Sequence, residues 1–128
     1  MSCGECGGDG CQSAFDRAMA LELTDSAFGA VHHLTVPAFM IQHPSRLSAY
    51  GWRAEVALLR EFLDGTSPEA VRRRRRGSGS SLARGASMAP RPVKWSRTIC
   101  NLRFEDPLVY QDDVRSWAET VADEAPDL

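Results

Sequence analysis

The sequence predicts a mainly α protein: a small helical domain with a cysteine-rich, metal-binding loop at its N-terminus. Apolar side chains recur at helical spacing along most of the chain, and Ser, Thr, Asp, Gly or Pro residues stand where those stretches begin and end. Three of the four cysteines, Cys3, Cys6 and Cys11, fall within nine residues, which predicts the loop. A chain of 128 residues has the size of one domain, and its 43% apolar content is enough for a single core.

We divide this single domain, residues 1–128, into four segments. Residues 1–12 form the cysteine-rich loop, and residues 13–76 form a helical core. Residues 77–92 are rich in Gly, Ser and Pro and are expected to be a flexible loop. Residues 93–124 hold a short extended segment followed by the C-terminal helix.

The first predicted helix covers 13–23, and the Thr-Asp-Ser stretch at 24–26 ends it. Its apolar residues lie at i, i+4 and i+8: Phe15, Met19 and Leu23. The second covers 27–42 and stops before Pro44, since a residue that precedes proline leaves the α region. We expect Pro37 to kink or split this helix, because proline removes one backbone hydrogen bond.

The third predicted helix covers 47–64, with Gly65 just beyond its end. One of its faces is apolar: Trp52, Val56, Leu59 and Leu63. A fourth helix follows and runs into the arginines at 72–76. Either Thr66 forms a capping box with Glu69, or Ser67 caps a helix that begins at proline.

Residues 93–104 alternate β-branched or aromatic side chains with polar ones, so we expect an extended segment, or a short strand. Asp106 and Pro107 begin the last predicted helix, 107–123. Its amphipathic spacing is the clearest in the chain: Tyr110, Val114, Trp117, Ala118 and Val121.

The expected core unites side chains from four of these helices: Phe15, Met19, Leu34, Phe39, Leu59, Phe62, Val114 and Trp117. Cys100, in the extended segment, is expected to be a small buried apolar residue.

The Cys-x2-Cys-x4-Cys spacing favours one bound zinc ion per chain, because two thiolates two residues apart supply half of a tetrahedral site. Cys11 returns to the same centre through a Gly-rich turn. The fourth ligand is then a histidine: His43 is favoured because it lies at a helix end, and His32 is the alternative. The competing interpretations are unliganded thiols and a redox-active Cys-x-x-Cys pair.

Charge is unevenly distributed along a chain whose net charge is −2. Residues 72–103 hold nine Arg and Lys94 and no acidic residue, whereas both flanking regions are acidic. These cations predict either internal ion pairing or contact with nucleic acid, in which Trp95 stacks on a base. The candidate residues are Arg72, Arg73, Arg74, Arg75, Arg76 and Trp95.

The favoured function is an interaction or regulatory domain that a structural zinc ion stabilises, with a protein partner whose identity the sequence does not give. The first alternative is nucleic-acid binding through residues 72–103. The second alternative is a metal-dependent enzyme. Asp9, Asp16 and Glu22 lie near the cysteines in sequence, but no catalytic motif accompanies them, so we do not favour an enzyme.

We expect a cytoplasmic protein that does not insert into membranes. No apolar run reaches the length that crosses a bilayer, and no apolar segment after a basic start indicates a secretory signal.

Several stretches together resemble an uncharacterised family of small bacterial proteins, a domain of unknown function whose motifs indicate zinc binding. They are CGECGG, FGAVHHLTVPAFMIQHPS, LLREFLDGTSPEAVRRR, WSRTICNLR and DVRSWAETV. The resemblance implies that Cys3, Cys6, Cys11, His32 and Gln42-His43-Pro44 are motif positions, and it implies no activity. Where that family reads Val-Asp-x-Tyr, this chain has Val36 followed by Pro37, Ala38 and Phe39.

Overall fold

The computed structural model of the chain describes residues 3–75 and 93–126, and the predicted flexible loop 77–92 lies outside these ranges. The described residues form six α-helices and no strand, so the mainly α prediction is confirmed. The helices are α1 (Cys11–Thr24), α2 (Ser26–Gly29), α3 (His32–Gln42), α4 (Ala49–Leu63), α5 (Pro68–Arg75) and α6 (Pro107–Glu124). Two 3₁₀ turns, Pro44–Arg46 and Ile99–Asn101, lie between helices. None of the described helices is both long and apolar enough to cross a membrane.

Helix α3 is the central element, since it packs against both α4 and α6. Its sequence, HHLTVPAFMIQ, carries no Asp, Glu, Lys or Arg, and it is buried on more than one side. A helix with this composition belongs in a core rather than at a surface. This explains why its apolar residues form no single stripe in the sequence.

The predicted core is confirmed. Five of its members are at most 1% exposed: Leu34, Phe39, Leu59, Val114 and Trp117. The other three, Phe15, Met19 and Phe62, are partly buried and pack against that group. Phe15 stacks on Phe39 with ring centroids 4.0 Å apart, which fixes α1 to α3.

Helix starts and ends follow local chemistry. Gly65 adopts φ 105° beyond α4, as the sequence predicts for the residue that ends this helix. The Ser67 hydroxyl accepts a hydrogen bond from the Ala70 amide at 3.1 Å, so serine caps α5. The Asp106 carboxylate accepts from the amides of Leu108 and Val109 at the start of α6.

The predicted second helix, 27–42, is wrong as one element, because it divides into α2 and α3 around residues 30–31. The break lies where α2 approaches α1: a Cβ atom at Gly29 would lie 2.6 Å from the Glu22 carbonyl oxygen. Pro37, the expected breakpoint, is buried inside α3, and the helix continues through it. Tertiary packing thus overrides the local preference of proline at this position.

Within residues 93–104, Thr98 and Leu102 are extended, as expected, but a 3₁₀ turn lies between them and no strand forms. Cys100 is exposed rather than buried. The Thr98 hydroxyl accepts from the Cys100 amide at 3.2 Å, and the Asn101 side chain accepts from the Thr98 amide at 2.8 Å. Within this tight turn, Ile99 is fully buried and its neighbour Cys100 points outward. The strand alternative and the burial of Cys100 are wrong, because the alternation of a strand does not apply to a 3₁₀ turn.

A buried carboxylate connects three helices. The Glu22 side chain on α1 lies 2.7 Å from His32 Nδ1 and accepts a hydrogen bond from the Thr35 hydroxyl at 2.6 Å. It also accepts from the phenol of Tyr110 on α6. Burial, followed by the hydrogen bond to Glu22, raises the pKa of Tyr110, so the phenol remains a donor.

Tyr110→Phe tests this connection. The substitution leaves the ring in place but removes one donor from a buried carboxylate, so we expect a loss of about 1–3 kcal/mol in the free energy of unfolding. Urea denaturation followed by circular dichroism measures it. Tyr50 is 54% exposed, so Tyr50→Phe is the matched control and should change stability little. Equal effects in the two variants would contradict the structural role of Glu22.

Candidate metal centre

The N-terminal loop, residues 3–10, folds back on itself through its own backbone. The Gly7 amide donates to the Cys3 carbonyl at 2.9 Å, and the Cys3 amide donates to the Gly8 carbonyl at 2.6 Å. Gly7 and Gly10 have φ angles of 82° and 75°, in the left-handed region that glycine adopts without strain. The loop therefore places Cys3 and Cys6 beside the start of α1, where Cys11 is the first helical residue.

Four side chains converge at this point. The sulfurs of Cys3, Cys6 and Cys11 and a ring nitrogen of His43 all lie within 4.8 Å of one another. Zinc–sulfur bonds of about 2.3 Å at tetrahedral angles separate two sulfur ligands by roughly 3.8 Å. No sulfur pair in the group is therefore more than about 1 Å wider than a tetrahedral site requires. These four residues can hold one metal ion.

The His43 ring is oriented for binding through Nε2. Its Nδ1–H donates to the Phe39 carbonyl at 2.7 Å, which leaves the lone pair on the other nitrogen. That Nε2 atom is buried and has no hydrogen-bond partner among the described residues. Stacking on the Phe39 ring, at 4.1 Å between centroids, fixes the ring plane. Burial lowers the pKa of His43, which keeps the imidazole in the neutral form that metals bind.

The three thiols have different electrostatic environments. Burial raises the pKa of Cys6 to about 12, although the Gly8 amide donates to its sulfur at 3.4 Å. Burial, followed by Cys3, also raises the pKa of Cys11. At Cys3, burial opposes ionisation, but hydrogen bonds from the Cys6 and Glu5 amides and from the neighbouring thiols outweigh it and lower the pKa. Three thiolates can coexist here only when a cation compensates their charge.

Contacts outside the ligand group hold the loop and the start of α1 against the turn that follows α3. The Glu5 carboxylate accepts from the Ser45 amide at 2.9 Å. Arg46 donates to the Gln12 side-chain oxygen, and its guanidinium lies 5.1 Å from the centre of the Phe39 ring. Sequence reasoning missed Glu5, because nothing in the pattern pairs it with a residue forty positions away.

The Gln-His-Pro sequence at 42–44 has a structural explanation. Gln42 is fully buried, accepts from Trp117 Nε1 at 3.1 Å and donates to the Arg97 carbonyl at 2.7 Å. The first bond fixes the last turn of α3 against α6, and the second fixes it to the segment that precedes the 3₁₀ turn Ile99–Asn101. His43 then faces the cysteines, and Pro44 begins the 3₁₀ turn.

The other candidate residues lie elsewhere. His32, the alternative ligand, contacts Glu22 and is not part of the thiol group. Arg72 pairs with Glu69 at 3.2 Å, and Arg74 pairs with Glu61 at 2.7 Å. Arg73 is exposed, whereas the Arg75 side chain and Arg76 lie outside the described residues. Trp95 is partly buried and packs against the core.

A family model, described as Family of unknown function (DUF5946), matches residues 1–125, which is nearly the whole chain. No curated protein and no solved structure matches the chain.

His43→Ala tests the ligand assignment. We expect the purified wild-type protein, isolated without a metal-affinity tag, to carry about one metal ion per chain, since four protein ligands fill one tetrahedral site. The variant should lose most of this metal, as measured by elemental mass spectrometry. His33→Ala is the matched control, because His33 lies on the same helix but contacts Phe62 rather than the thiols.

His32→Ala separates the two histidines that the sequence proposes. Because His32 bonds to Glu22 and lies outside the thiol group, this variant should retain its metal. Loss of metal in His32→Ala with full retention in His43→Ala would contradict the assignment.

Proposed function

We propose that this chain, which belongs to the DUF5946 family, binds one zinc ion structurally and serves as an interaction or regulatory domain for a protein partner. The zinc ligands are Cys3, Cys6, Cys11 and His43. The ion fixes the N-terminal loop on the helical body, and the surface that results meets the partner.

The donor set is the observation that carries the proposal. Three sulfurs and one imidazole nitrogen are ligands typical of structural zinc sites, whereas magnesium and calcium prefer oxygen. The buried His43 Nε2 atom has no partner among the residues that the structure describes, which supports a bound cation, since an unsatisfied buried acceptor costs about 1–3 kcal/mol.

The number of ligands favours a structural role over a catalytic one. Catalytic zinc sites keep one coordination position for water or substrate, and structural sites fill all four with protein side chains. Four ligand atoms converge here, so none of the tetrahedral positions is left for substrate.

X-ray absorption on the zinc-loaded protein should give three sulfur neighbours and one nitrogen around the ion. A bound water oxygen in place of one of these ligands would favour the alternative function, a metal-dependent enzyme.

Zinc holds the N-terminal loop on the helical body more strongly than the other contacts of the loop do. It joins the loop, the first residue of α1 and the residue that follows α3. Among the polar contacts around the loop, the Glu5–Ser45 hydrogen bond joins it to the turn after α3, and the Cys100–Asp9 bond joins it to the 3₁₀ turn Ile99–Asn101. The Arg46–Gln12 bond joins the start of α1 to the turn after α3, and all three bonds are exposed. Exposed polar pairs contribute about 0–1 kcal/mol each, so we infer that the ion dominates the position of the loop.

The contacts of the arginines do not add support for nucleic-acid binding. Arg72 and Arg74 each pair with an acidic side chain of the same chain, on α5 and α4 respectively. These contacts favour internal pairing, and nucleic-acid binding through residues 72–103 stays a prediction.

Removal of zinc should loosen the N-terminal part of the molecule while the core around α4 and α6 persists. We expect a strong chelator to lower the melting temperature and to speed amide hydrogen exchange in residues 3–15 and 42–48, because those segments meet at the ligands. Added zinc should reverse both changes.

The His43→Ala variant is the control for chelator side effects. It should already show fast exchange in these segments, and the chelator should change it little further. Unchanged exchange in wild-type protein after confirmed loss of zinc would contradict a structural role for the ion.

A further inference from the structure

Cys100 lies against the metal-binding loop without belonging to its ligand group. Its thiol donates a hydrogen bond to the Asp9 carbonyl at 3.1 Å. Asp9 lies between the second and third cysteines of the loop. The ligand group that lies within 4.8 Å excludes Cys100, and the residue is exposed.

The approach of Cys100 to the loop is close. A Cβ atom built on Gly8 would lie 2.8 Å from the Cys100 sulfur and 2.8 Å from the Thr98 hydroxyl oxygen. A larger residue at this position would force the Cys100 or the Thr98 side chain to shift.

Small molecules have access to this thiol. Cys100 and Cys6 line one open groove of about 420 Å³, together with Gly8, Lys94 and Trp95. The Cys6 sulfur lies deep, since that residue is only 4% exposed, whereas Cys100 and Cys11 are more accessible. An oxidant that enters the groove meets Cys100 before it meets the buried ligand.

We propose that Cys100 is a redox modification site, at which a hydroperoxide starts formation of a Cys11–Cys100 disulfide that releases the metal. This inference rests on the proposed zinc site. The Cys100 thiolate attacks the terminal peroxide oxygen, the O–O bond breaks, and sulfenic acid and an alkoxide, or hydroxide from hydrogen peroxide, form. The Cys11 thiolate then attacks the sulfenic sulfur, the S–O bond breaks, and hydroxide leaves.

The electron balance closes with peroxide as the oxidant. Two thiolates lose two electrons to form one S–S bond, and the peroxide gains them; solvent protons convert the two oxygen products to water, or to water and an alcohol. Zinc keeps its charge throughout and leaves because it loses one of its three thiolate ligands. A thiol reductant should reverse the change and restore the site.

Cys11 is the favoured partner of Cys100 for two reasons. It is less buried than Cys6, and Gly10, with a φ of 75°, precedes it and gives the backbone freedom to adjust. A disulfide requires the two Cβ atoms to approach to about 3.8 Å, a movement that the glycine-rich loop permits.

The test compares zinc-loaded wild-type protein with the Cys100→Ser variant during treatment with hydrogen peroxide. Serine keeps a donor for the Asp9 carbonyl, so the variant should bind zinc as the wild type does. A coloured zinc chelator follows release, and peptide mass spectrometry identifies the disulfide. We expect wild-type protein to release zinc with a Cys11–Cys100 disulfide, and the variant to release it at least about tenfold more slowly, since the remaining thiolates are bound to zinc and Cys6 is also buried.

Equal release rates in the two proteins, a disulfide that excludes Cys100, or no release from the wild type would each overturn the proposal. The metal content before treatment tests the zinc site separately. If the untreated protein carries no zinc, the proposed function fails, and the same mass spectrometry then decides whether peroxide joins Cys11 to Cys100 in the metal-free chain.

Discussion

The position of the His43 ring determines most of what happens at the N-terminal end of this molecule. Its Nδ1–H bond to the Phe39 carbonyl is a contact within the last turn of α3, so the helix itself orients the ring. The consequence is a lone pair on Nε2 that lies in a buried environment and has no described partner. A protein interior rarely tolerates such an atom, and the three cysteine sulfurs within 4.8 Å indicate a cation as the missing partner.

The helical body supports this ring from two directions. Phe15, Phe39 and His43 form a continuous stack, because the centroid distances between neighbours are 4.0 and 4.1 Å. On the other side, Gln42 bonds to Trp117 and to the backbone of residue 97. Side chains that orient a metal ligand matter nearly as much as the ligand, because they determine which nitrogen is available and where it points. The core and the candidate metal centre are therefore parts of one packing arrangement.

Sequence reasoning succeeded where the signal is local. Helix α6 begins at its predicted proline because Asp106 and Pro107 are adjacent and the apolar spacing after them is regular. The place of His43 at a helix end and the spacing of the cysteines predict one group, and the structure brings these four residues together. Contacts between distant residues gave no such signal: the Glu22 carboxylate meets a phenol 88 positions away. The break between α2 and α3 lies where α1 approaches Gly29 closely, and this is a tertiary contact that no local sequence pattern indicates.

The same distinction explains the misplacement of Cys100. The 3₁₀ turn that Thr98 and Asn101 cap determines which side chains of the 93–104 segment face inward. This turn buries Ile99 and leaves Cys100 exposed. The same turn lies against the loop, where a side chain at Gly8 would meet those of Cys100 and Thr98. A buried cysteine in that position would be a packing residue only. Because the turn directs Cys100 outward, its thiol lies beside the backbone that joins Cys6 to Cys11. The proposed disulfide depends on this position, since it brings the fourth thiol next to the loop that carries the other three.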